Sequence, residues 1–383
     1  MRMRSHFLLF AAVLAIATFA TSVAQAEKLW VFIGTGGGKL AKGIYRAELD
    51  LETGKIAKVE LAAEAAAPGF VAIHPTAKYL YAVGGVMVDG KSTGGVIAYA
   101  LDAKTGSLTK LNEQAAGGSG PCHVSVDRAG KNVLIANYGG GSVNVYPIGE
   151  DGKLKPSSSF IQHEGKGANP KRQEKPHAHS INVTKDNRFA VVADLGLDQL
   201  LVYKLDADKG TLTPNTPPHC ATAPGAGPRH FAFHPTAPLA FVINELDSTL
   251  SSLSFDAEKG ELKTLKTVPT LPMGYKGNNS TAEVVVHPNG KFVYGSNRGH
   301  NSIAAFKLDE KTGDLTLIGH ATDGIKTPRN FNIDPTGQYA LVGSQDGNEV
   351  LVFKIDAQGA LQPTGSKVEV GAPICIRFLP VAK

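Results

Sequence analysis

The stretch GPRHFAFHPTAPLAFVINE, residues 227–245, places an arginine, two histidines and a glutamate around two short apolar runs. Arg229 stays protonated in proteins and can hold carboxylate or phosphate oxygens through paired hydrogen bonds. Glu245 can transfer a proton when its pKa lies near the working pH. Together these residue types are suited to binding an anion and moving a proton beside it.

A repeat along the chain indicates which elements must position these residues. The segment LDAKTGSL at 101 recurs as LDLETGKI at 49, LDADKGTL at 205, FDAEKGEL at 255 and LDEKTGDL at 308, with shorter copies at 148 and 355. Each copy lies between alternating runs and carries a glycine where a hairpin turn needs a positive φ. These glycines recur roughly every 50 residues, a spacing typical of repeat architectures, and they are Gly54, Gly106, Gly152, Gly210, Gly260, Gly313 and Gly359. The copies predict seven equivalent hairpins.

A second motif precedes most of these hairpins. It is an apolar strand that ends in a turn, as in PGFVAIHPTAK at 68, PRHFAFHPTAP at 228 and PRNFNIDPTGQ at 328, and another apolar strand follows it. Each period thus supplies four short strands, which is typical of a propeller blade. The run KLWVFIGT at 28 matches a second strand, and PICIRFLP at 373 matches a first strand. We therefore predict an all-β fold, a seven-bladed β-propeller of four-stranded antiparallel blades, with one blade closed by both chain termini.

Alignment of the second motif places one residue of each blade in a ring at the end of the propeller where the first strands begin and the second strands end. That ring contains Gly69, Cys122, His179, Arg229, Ala282, Arg329 and Ile374. The next ring contains Phe70, His123, Ser180, His230, Glu283, Asn330 and Cys375. The ends of the second strands add Asn297, Glu245 and Arg298, and His177 lies close by. The sequence predicts that these polar residues share one mouth of the propeller.

These polar residues also have structural explanations that require no functional site. Asn and Asp often end strands because their side chains bond to nearby backbone in turns, and this applies to Asn297. A ring of ion pairs that only stabilises the fold would also place charges there. Convergence of several charged side chains from separate blades favours a site. A metal site is not predicted, because His177 and His179 have no third ligand in the sequence pattern.

Residues 1–26 have the pattern of a secretory signal peptide. Arg2 and Arg4 precede an apolar run over 7–20, and Ala24-Gln25-Ala26 precedes the predicted cleavage point. A membrane anchor is the alternative, but the apolar run is short for a span. We expect residues 27–383 to form one propeller domain that is periplasmic or secreted, monomeric and without a membrane segment.

The composition excludes few classes of protein. The formal net charge is +5, and no long run of one sign is present, which argues against a nucleic-acid-binding face. Cys122, Cys220 and Cys375 are too few and too scattered for a disulfide framework. One disulfide and three free thiols both remain open.

Five segments carry a resemblance to a known family: PHAHSINVTKDNRF at 176, GAGPRHFAFHP at 225, VINELDSTL at 242, YGSNRGHNSIAAF at 294 and TPRNFNIDPTGQY at 327. Together they resemble the seven-bladed propeller lactonases, which include propeller-type 6-phosphogluconolactonases and carboxymuconate lactonizing enzymes. The resemblance covers essentially the whole chain after residue 26. It implies no metal or other cofactor, and it implies the active-site residues His179 (with His177 as the nearest rival), Arg229, Glu245 and Arg298.

The resemblance implies hydrolysis of a small sugar-derived lactone. In that reaction Arg229 and Arg298 would hold the anionic group and stabilise the oxyanion. Glu245 would be the general base on water, and His179 the acid or its orienting partner. The substrate-binding candidates beside these catalytic ones are His123, His177, His230, Glu283, Asn297 and Arg329. Because an exported protein would rarely meet a phosphorylated lactone, a free aldonolactone or another small anionic lactone is also an expected substrate.

Other functions stay open at this point. A carboxymuconate lactonizing enzyme catalyses the reverse reaction, lactonisation of a muconate, with the same residue types. A non-catalytic exported propeller would instead present the mouth to a partner. A redox-cofactor propeller is disfavoured because Trp30 is the single tryptophan. A scaffold has no need of four ionisable groups around one cavity, so we expect an enzyme that binds a small anionic lactone.

Overall fold

Seven four-stranded antiparallel sheets surround a central axis in the computed structural model, which describes residues 27–382. These residues contain 28 β-strands and no helix. The predicted signal peptide, residues 1–26, lies outside the described range. The sequence-based prediction of a seven-bladed propeller is therefore confirmed.

Within each blade the strands run from the axis outward. The innermost strands are β4 (Ala66–Ile73), β8 (Pro121–Val126), β12 (Ala178–Val183), β16 (Pro228–Phe233), β20 (Thr281–Val286), β24 (Pro328–Ile333) and β28 (Pro373–Pro380). The second strands are β1 (Lys28–Thr35), β5 (Tyr79–Val88), β9 (Asn132–Asn137), β13 (Phe189–Asp194), β17 (Leu239–Asn244), β21 (Phe292–Asn297) and β25 (Tyr339–Ser344). The third strands are β2 (Gly43–Asp50), β6 (Lys91–Leu101), β10 (Ser142–Pro147), β14 (Gln199–Asp206), β18 (Thr249–Asp256), β22 (Ser302–Leu308) and β26 (Glu349–Ile355). The outer strands are β3 (Ile56–Glu64), β7 (Leu108–Ala115), β11 (Ser159–Gln162), β15 (Thr211–Ala221), β19 (Glu261–Pro269), β23 (Leu315–Ala321) and β27 (Leu361–Glu369).

Both ends of the described chain build one blade, as predicted. The sheet order is β28-β1-β2-β3, and Val31 of β1 pairs with Phe378 of β28. The innermost strands of successive blades contact one another in a closed circle, including β28 with β4. The edges of the innermost strands are therefore enclosed around the axis, and radial repetition of the blades leaves only short, protected edges.

The His-Pro motif connects neighbouring blades. The Nε2 atoms of three motif histidines each lie 2.9 Å from a glycine carbonyl oxygen in the next blade. The pairs are His74 with Gly130, His234 with Gly290, and His287 with Gly337. His234 of the stretch 227–245 is therefore a structural residue, unlike its neighbour His230.

Apolar side chains between the polar rings form the contacts from blade to blade. Six of these side chains, one from each of six innermost strands, are buried: Val71, Val124, Ile181, Phe231, Val284 and Phe331. Among the described residues, none belongs to a helix long and apolar enough to cross a membrane.

The turn glycines also allow close packing between neighbouring blades. Gly260 has φ +65°, and a Cβ there would lie 2.5 Å from the Phe189 ring of the preceding blade. We expect Gly260→Ala to lower the free energy of unfolding by about 1–3 kcal/mol, through left-handed backbone strain and overpacking. Urea unfolding would measure the change. Gly319→Ala is the matched control, because nothing lies within 4 Å of its Cβ position, and equal destabilisation of both variants would contradict this explanation.

Candidate active site

A cavity of about 130 Å³ lies at the mouth where the innermost strands begin, and we call it the mouth cavity. Its lining consists of Gly69, Phe70, Pro121, Cys122, His179, Arg229, His230, Arg329 and Ile374. The structure thus brings together the whole predicted ring except Ala282. The carbonyl of Ala282 still accepts a hydrogen bond from Nη1 of Arg229, at 2.7 Å.

β-Bulges place the ring residues in the lining. The pairing register between first and second strands shifts between Pro121 and His123, and between Pro228 and His230. The same shift brackets His179 and Arg329. A bulge inserts one unpaired residue and re-aims its side chain. The residues at these bulges are therefore directed to the axis in blade after blade.

Glu245 is surrounded by arginines. It follows β17, and its Oε2 lies 2.9 Å from Nε of Arg229 and 2.9 Å from Nη2 of Arg298. Its Oε1 accepts a hydrogen bond from Nη2 of Arg172, at 2.6 Å. Glu245 and Arg229 are both buried. The four side chains form one connected network, which we call the arginine cluster together with Arg329.

The charges of this cluster shift the pKa values of its members. Burial alone would raise the pKa of Glu245, but Arg229, Arg298 and Arg172 lower it to about 2. Burial and the charge of Arg229 lower the pKa of Arg298 to about 9. The charge of Arg229, followed by burial, lowers the pKa of Arg329 to about 10. One carboxylate therefore faces four guanidinium groups, and the site has an excess of positive charge.

Two donors of the cluster have no protein partner. The guanidinium of Arg329 lines the mouth cavity and makes no hydrogen bond or ion pair with residues 27–382. Nε of Arg298 is buried, and it too has no partner among these residues. An anion in the mouth cavity would satisfy Arg329, because guanidinium groups bind carboxylates and phosphates in paired geometry, whereas Nε of Arg298 is sealed in the protein interior.

His179 faces the mouth cavity, whereas His177 does not. The Nδ1 of His179 lies 3.8 Å from Sγ of Cys122. Burial, followed by the charge of Arg229, lowers the pKa of His179 well below its usual value, so the ring is neutral at pH 7. The ring of His177 stacks on Tyr138 at 4.6 Å, and its nitrogens lie near the Tyr138 carbonyl and Glu174. The structure therefore does not bring His177 to the cavity.

A second cavity of about 300 Å³, which we call the distal cavity, continues along the axis toward the other ends of the innermost strands. His123, His230 and Glu283 line it, and Phe70 and His230 lie between the two cavities. Nδ1 of His230 lies 2.9 Å from Oε1 of Glu283. Four residues of the predicted second ring thus line the distal cavity, namely Phe70, His123, His230 and Glu283.

Asn297 is placed away from both cavities. Its side-chain nitrogen donates to the carbonyl of Thr270 and the hydroxyl of Ser302, and its oxygen accepts from the Thr270 hydroxyl. The residue is fully buried. The turn-stabilising interpretation explains Asn297, and the structure does not bring it together with the other candidates.

Sequence reasoning missed Arg172. This residue lies in the connection between β11 and β12, with 43% of its side chain exposed. The basic run KGANPKRQEK at 166 was a signal that could have drawn attention to it. The connection lies outside the repeated motifs, so alignment of blades could not reveal its path to Glu245.

Neither a disulfide nor a clustered metal-ligand set occurs in the described part of the chain. Cys122, Cys220 and Cys375 are free thiols. Within residues 27–382 no group of three or more His, Cys, Asp or Glu side chains is arranged to hold a metal ion.

Both the sequence and the fold are similar to those of known proteins. The family model described as Lactonase, 7-bladed beta-propeller matches residues 30–378. A 6-phosphogluconolactonase of Bacillus subtilis is 38% identical over 349 residues, which cover 91% of this chain and 97% of that protein. The crystal structure of a putative 6-phosphogluconolactonase from Bacteroides fragilis superposes with a TM-score of 0.85 at 34% identity, covering 92% of this chain and 98% of that one. A periplasmic gluconolactonase of Pseudomonas aeruginosa superposes with a TM-score of 0.87 at 26% identity, covering 93% and 100%.

Proposed function

Since the chain belongs to the seven-bladed β-propeller lactonase family, we propose that it hydrolyses a small sugar-derived lactone in the mouth cavity. The observation that carries this proposal is the arginine cluster, in which four guanidinium groups face the single carboxylate of Glu245. Lactone hydrolysis develops negative charge on the carbonyl oxygen and releases a carboxylate. Preorganised cations stabilise both anions.

We assign anion binding to the arginines. Arg229 is held on one side by Glu245 and on the other by the carbonyl of Ala282. It is therefore preorganised to stabilise the oxyanion. Arg329, whose guanidinium has no partner among residues 27–382, is assigned the phosphate or other anionic group of the substrate.

The pKa values favour roles for Glu245 and His179 that differ from those expected from sequence. A carboxylate whose pKa is lowered to about 2 is ionised at pH 7 but is a weak base on water. We assign Glu245 to holding Arg229 and Arg298 in position. His179 is neutral at pH 7, because burial lowers its pKa, so it is assigned a hydrogen bond to the substrate's ring or hydroxyl oxygens.

The cellular location belongs to the same proposal. Residues 1–26 have the signal-peptide pattern, and the similar Pseudomonas aeruginosa protein is described as periplasmic. We propose that residues 27–383 are exported and act on a free aldonolactone or a small anionic lactone outside the cytoplasm. Fractionation of cells that express the tagged chain would test the location.

The activity is tested by following acid release from glucono-δ-lactone and 6-phosphoglucono-δ-lactone with the purified protein, with and without EDTA. We expect hydrolysis faster than the spontaneous reaction, and the ratio of kcat/KM values ranks the two substrates. Rates equal to the spontaneous ones for both lactones would overturn the proposal and favour muconate-type chemistry or a binding platform.

Arg329→Gln should separate substrate binding from chemistry. Loss of a charged hydrogen-bond donor costs about 1.5–3 kcal/mol, so we expect KM for the phosphorylated lactone to rise roughly 10- to 100-fold with little change in kcat. KM for glucono-δ-lactone should change less, because that substrate lacks the phosphate. Equal effects on both lactones would instead assign Arg329 to the oxyanion.

A further inference from the structure

With Glu245 assigned to holding the arginines, the proton acceptor for water is unassigned, and a second imidazole beside the mouth cavity, that of His230, has the features of one. His230 is 4% exposed, and it lines both the mouth cavity and the distal cavity. It begins no turn and binds no neighbouring blade through its Nε2, unlike His234 on the same strand. Its position in β16 follows directly on the bulge residue Arg229.

A buried carboxylate fixes the ring of His230. Oε1 of Glu283 lies 2.9 Å from Nδ1 of His230 and also accepts a hydrogen bond from the amide of Val284. Its Oε2 accepts from the side-chain amide of Asn330 in the next blade. Because a carboxylate accepts hydrogen bonds, the proton of the neutral ring lies on Nδ1. The basic lone pair of His230 is therefore on Nε2.

Nε2 of His230 is open to the cavities. It has no hydrogen-bond partner among residues 27–382. It is also absent from the set of fully buried side-chain atoms that lack a partner, so it is accessible from a cavity. Another buried carboxylate–histidine pair, His163 with Asp194 at 2.6 Å, has its Nε2 sealed in the protein interior. In both pairs Nδ1 of the histidine faces a carboxylate oxygen. Of the two Nε2 atoms, only that of His230 can reach a water molecule in the cavity.

We propose that His230 is the general base of the lactonase reaction and that Glu283 is its positioning residue. This inference rests on the proposed lactone hydrolysis. Nε2 takes a proton from water while the water oxygen bonds to the lactone carbonyl carbon, and Arg229 stabilises the oxyanion. The imidazolium then returns that proton to the ring oxygen as the carbon–oxygen bond of the lactone breaks. Water is consumed, and the product is the hydroxy acid, which ionises in solvent.

The surroundings of His230 keep it in the basic form. Burial lowers its pKa, whereas Glu283 opposes that shift and Arg229 adds to it. The titratable and charged groups that face it are Arg229 on its own strand, His123, His179, Glu283 and Arg329, with Arg377 acting through Glu283. The imidazole is therefore neutral at pH 7, with its one proton on Nδ1.

The pH dependence of kcat/KM tests the assignment. The wild type should lose activity below pH 6.5 as His230 gains a proton. We expect His230→Asn to remove that acid limb and to lower kcat by about 10²- to 10⁴-fold with little change in KM, as is typical for a lost general base.

Glu283→Gln should lower kcat and move the acid limb to lower pH, because the anion that favours the imidazolium is gone. His163→Asn is the matched control and should leave the profile unchanged.

A measurement on the wild type covers the case in which a variant fails to fold. In ¹⁵N spectra of the histidine-labelled protein, we expect His230 to carry its proton on Nδ1 and to titrate at the pH of the acid limb. A proton on Nε2, a different titration point, or a folded His230→Asn variant with wild-type kcat would overturn the inference while lactone hydrolysis itself stands. A wild type that hydrolyses no lactone would overturn the proposed function together with this inference.

Discussion

Arg229→Met is expected to lower kcat/KM for the lactone by about 10²- to 10³-fold, the loss typical of removing one preorganised oxyanion donor. Methionine matches the length of the aliphatic part of the side chain, and Glu245 keeps its contacts with Arg172 and Arg298. The fold should therefore survive while the donor beside the cavity disappears. Steady-state kinetics on the preferred lactone would measure the loss.

The control for this prediction is Arg188→Met. Arg188 pairs with Asp186 and Glu258 on the outside of the propeller, with 44% of its side chain exposed. Exposed ion pairs contribute little to stability, so its kinetics should equal those of the wild type. A folded Arg229→Met variant with wild-type kcat/KM would place the chemistry away from the mouth cavity.

Glu245→Gln should have the largest effect on stability. Removing the single carboxylate leaves buried guanidinium groups without a counter-charge, and breaking a buried ion pair costs about 3–5 kcal/mol. We expect a loss of that size in the free energy of unfolding, measured with denaturant at pH 7. Because the arginines would also lose their positions, kcat/KM should fall.

The same residue predicts a pH dependence. The pKa of Glu245 falls from 4.5 to about 2 on folding, so its contribution of about 3 kcal/mol is present above pH 4.5 and is lost as the pH falls toward 2. The wild type should lose this stability over that range, and the loss should be smaller by that amount in Glu245→Gln. Glu258→Gln, at an exposed pair, is the control. Parallel curves for wild type and Glu245→Gln would contradict the assigned pairing.

The repeats were sufficient to predict the fold. Each hairpin glycine and each His-Pro or Asp-Pro turn recurs at equivalent positions, so blade number, strand order and the closure of β28 on β1 follow from alignment alone. The same alignment predicted that His179, Arg229 and Arg329 share one ring. Periodic features are visible in a single sequence, because each blade serves as a comparison for the others.

Features that break the repeat were not predictable in this way. A bulge leaves no mark in one strand, so the reason why the ring side chains line the cavity came only from the pairing of β16 with β17 and its equivalents. Arg172 reaches Glu245 from a connection without a counterpart in other blades. Asn297 occupies a ring position, but its hydrogen bonds to Thr270 and Ser302 depend on the path of neighbouring loops.

The most direct test of the central claim is a crystal structure of the protein with the hydroxy acid product, gluconate or 6-phosphogluconate, at a concentration that inhibits hydrolysis. We expect the product in the mouth cavity, with its carboxylate within hydrogen-bond distance of Arg229 and any phosphate on Arg329. An inhibiting product found only in the distal cavity or on the outer surface would contradict the assignment of the arginine cluster as the active site.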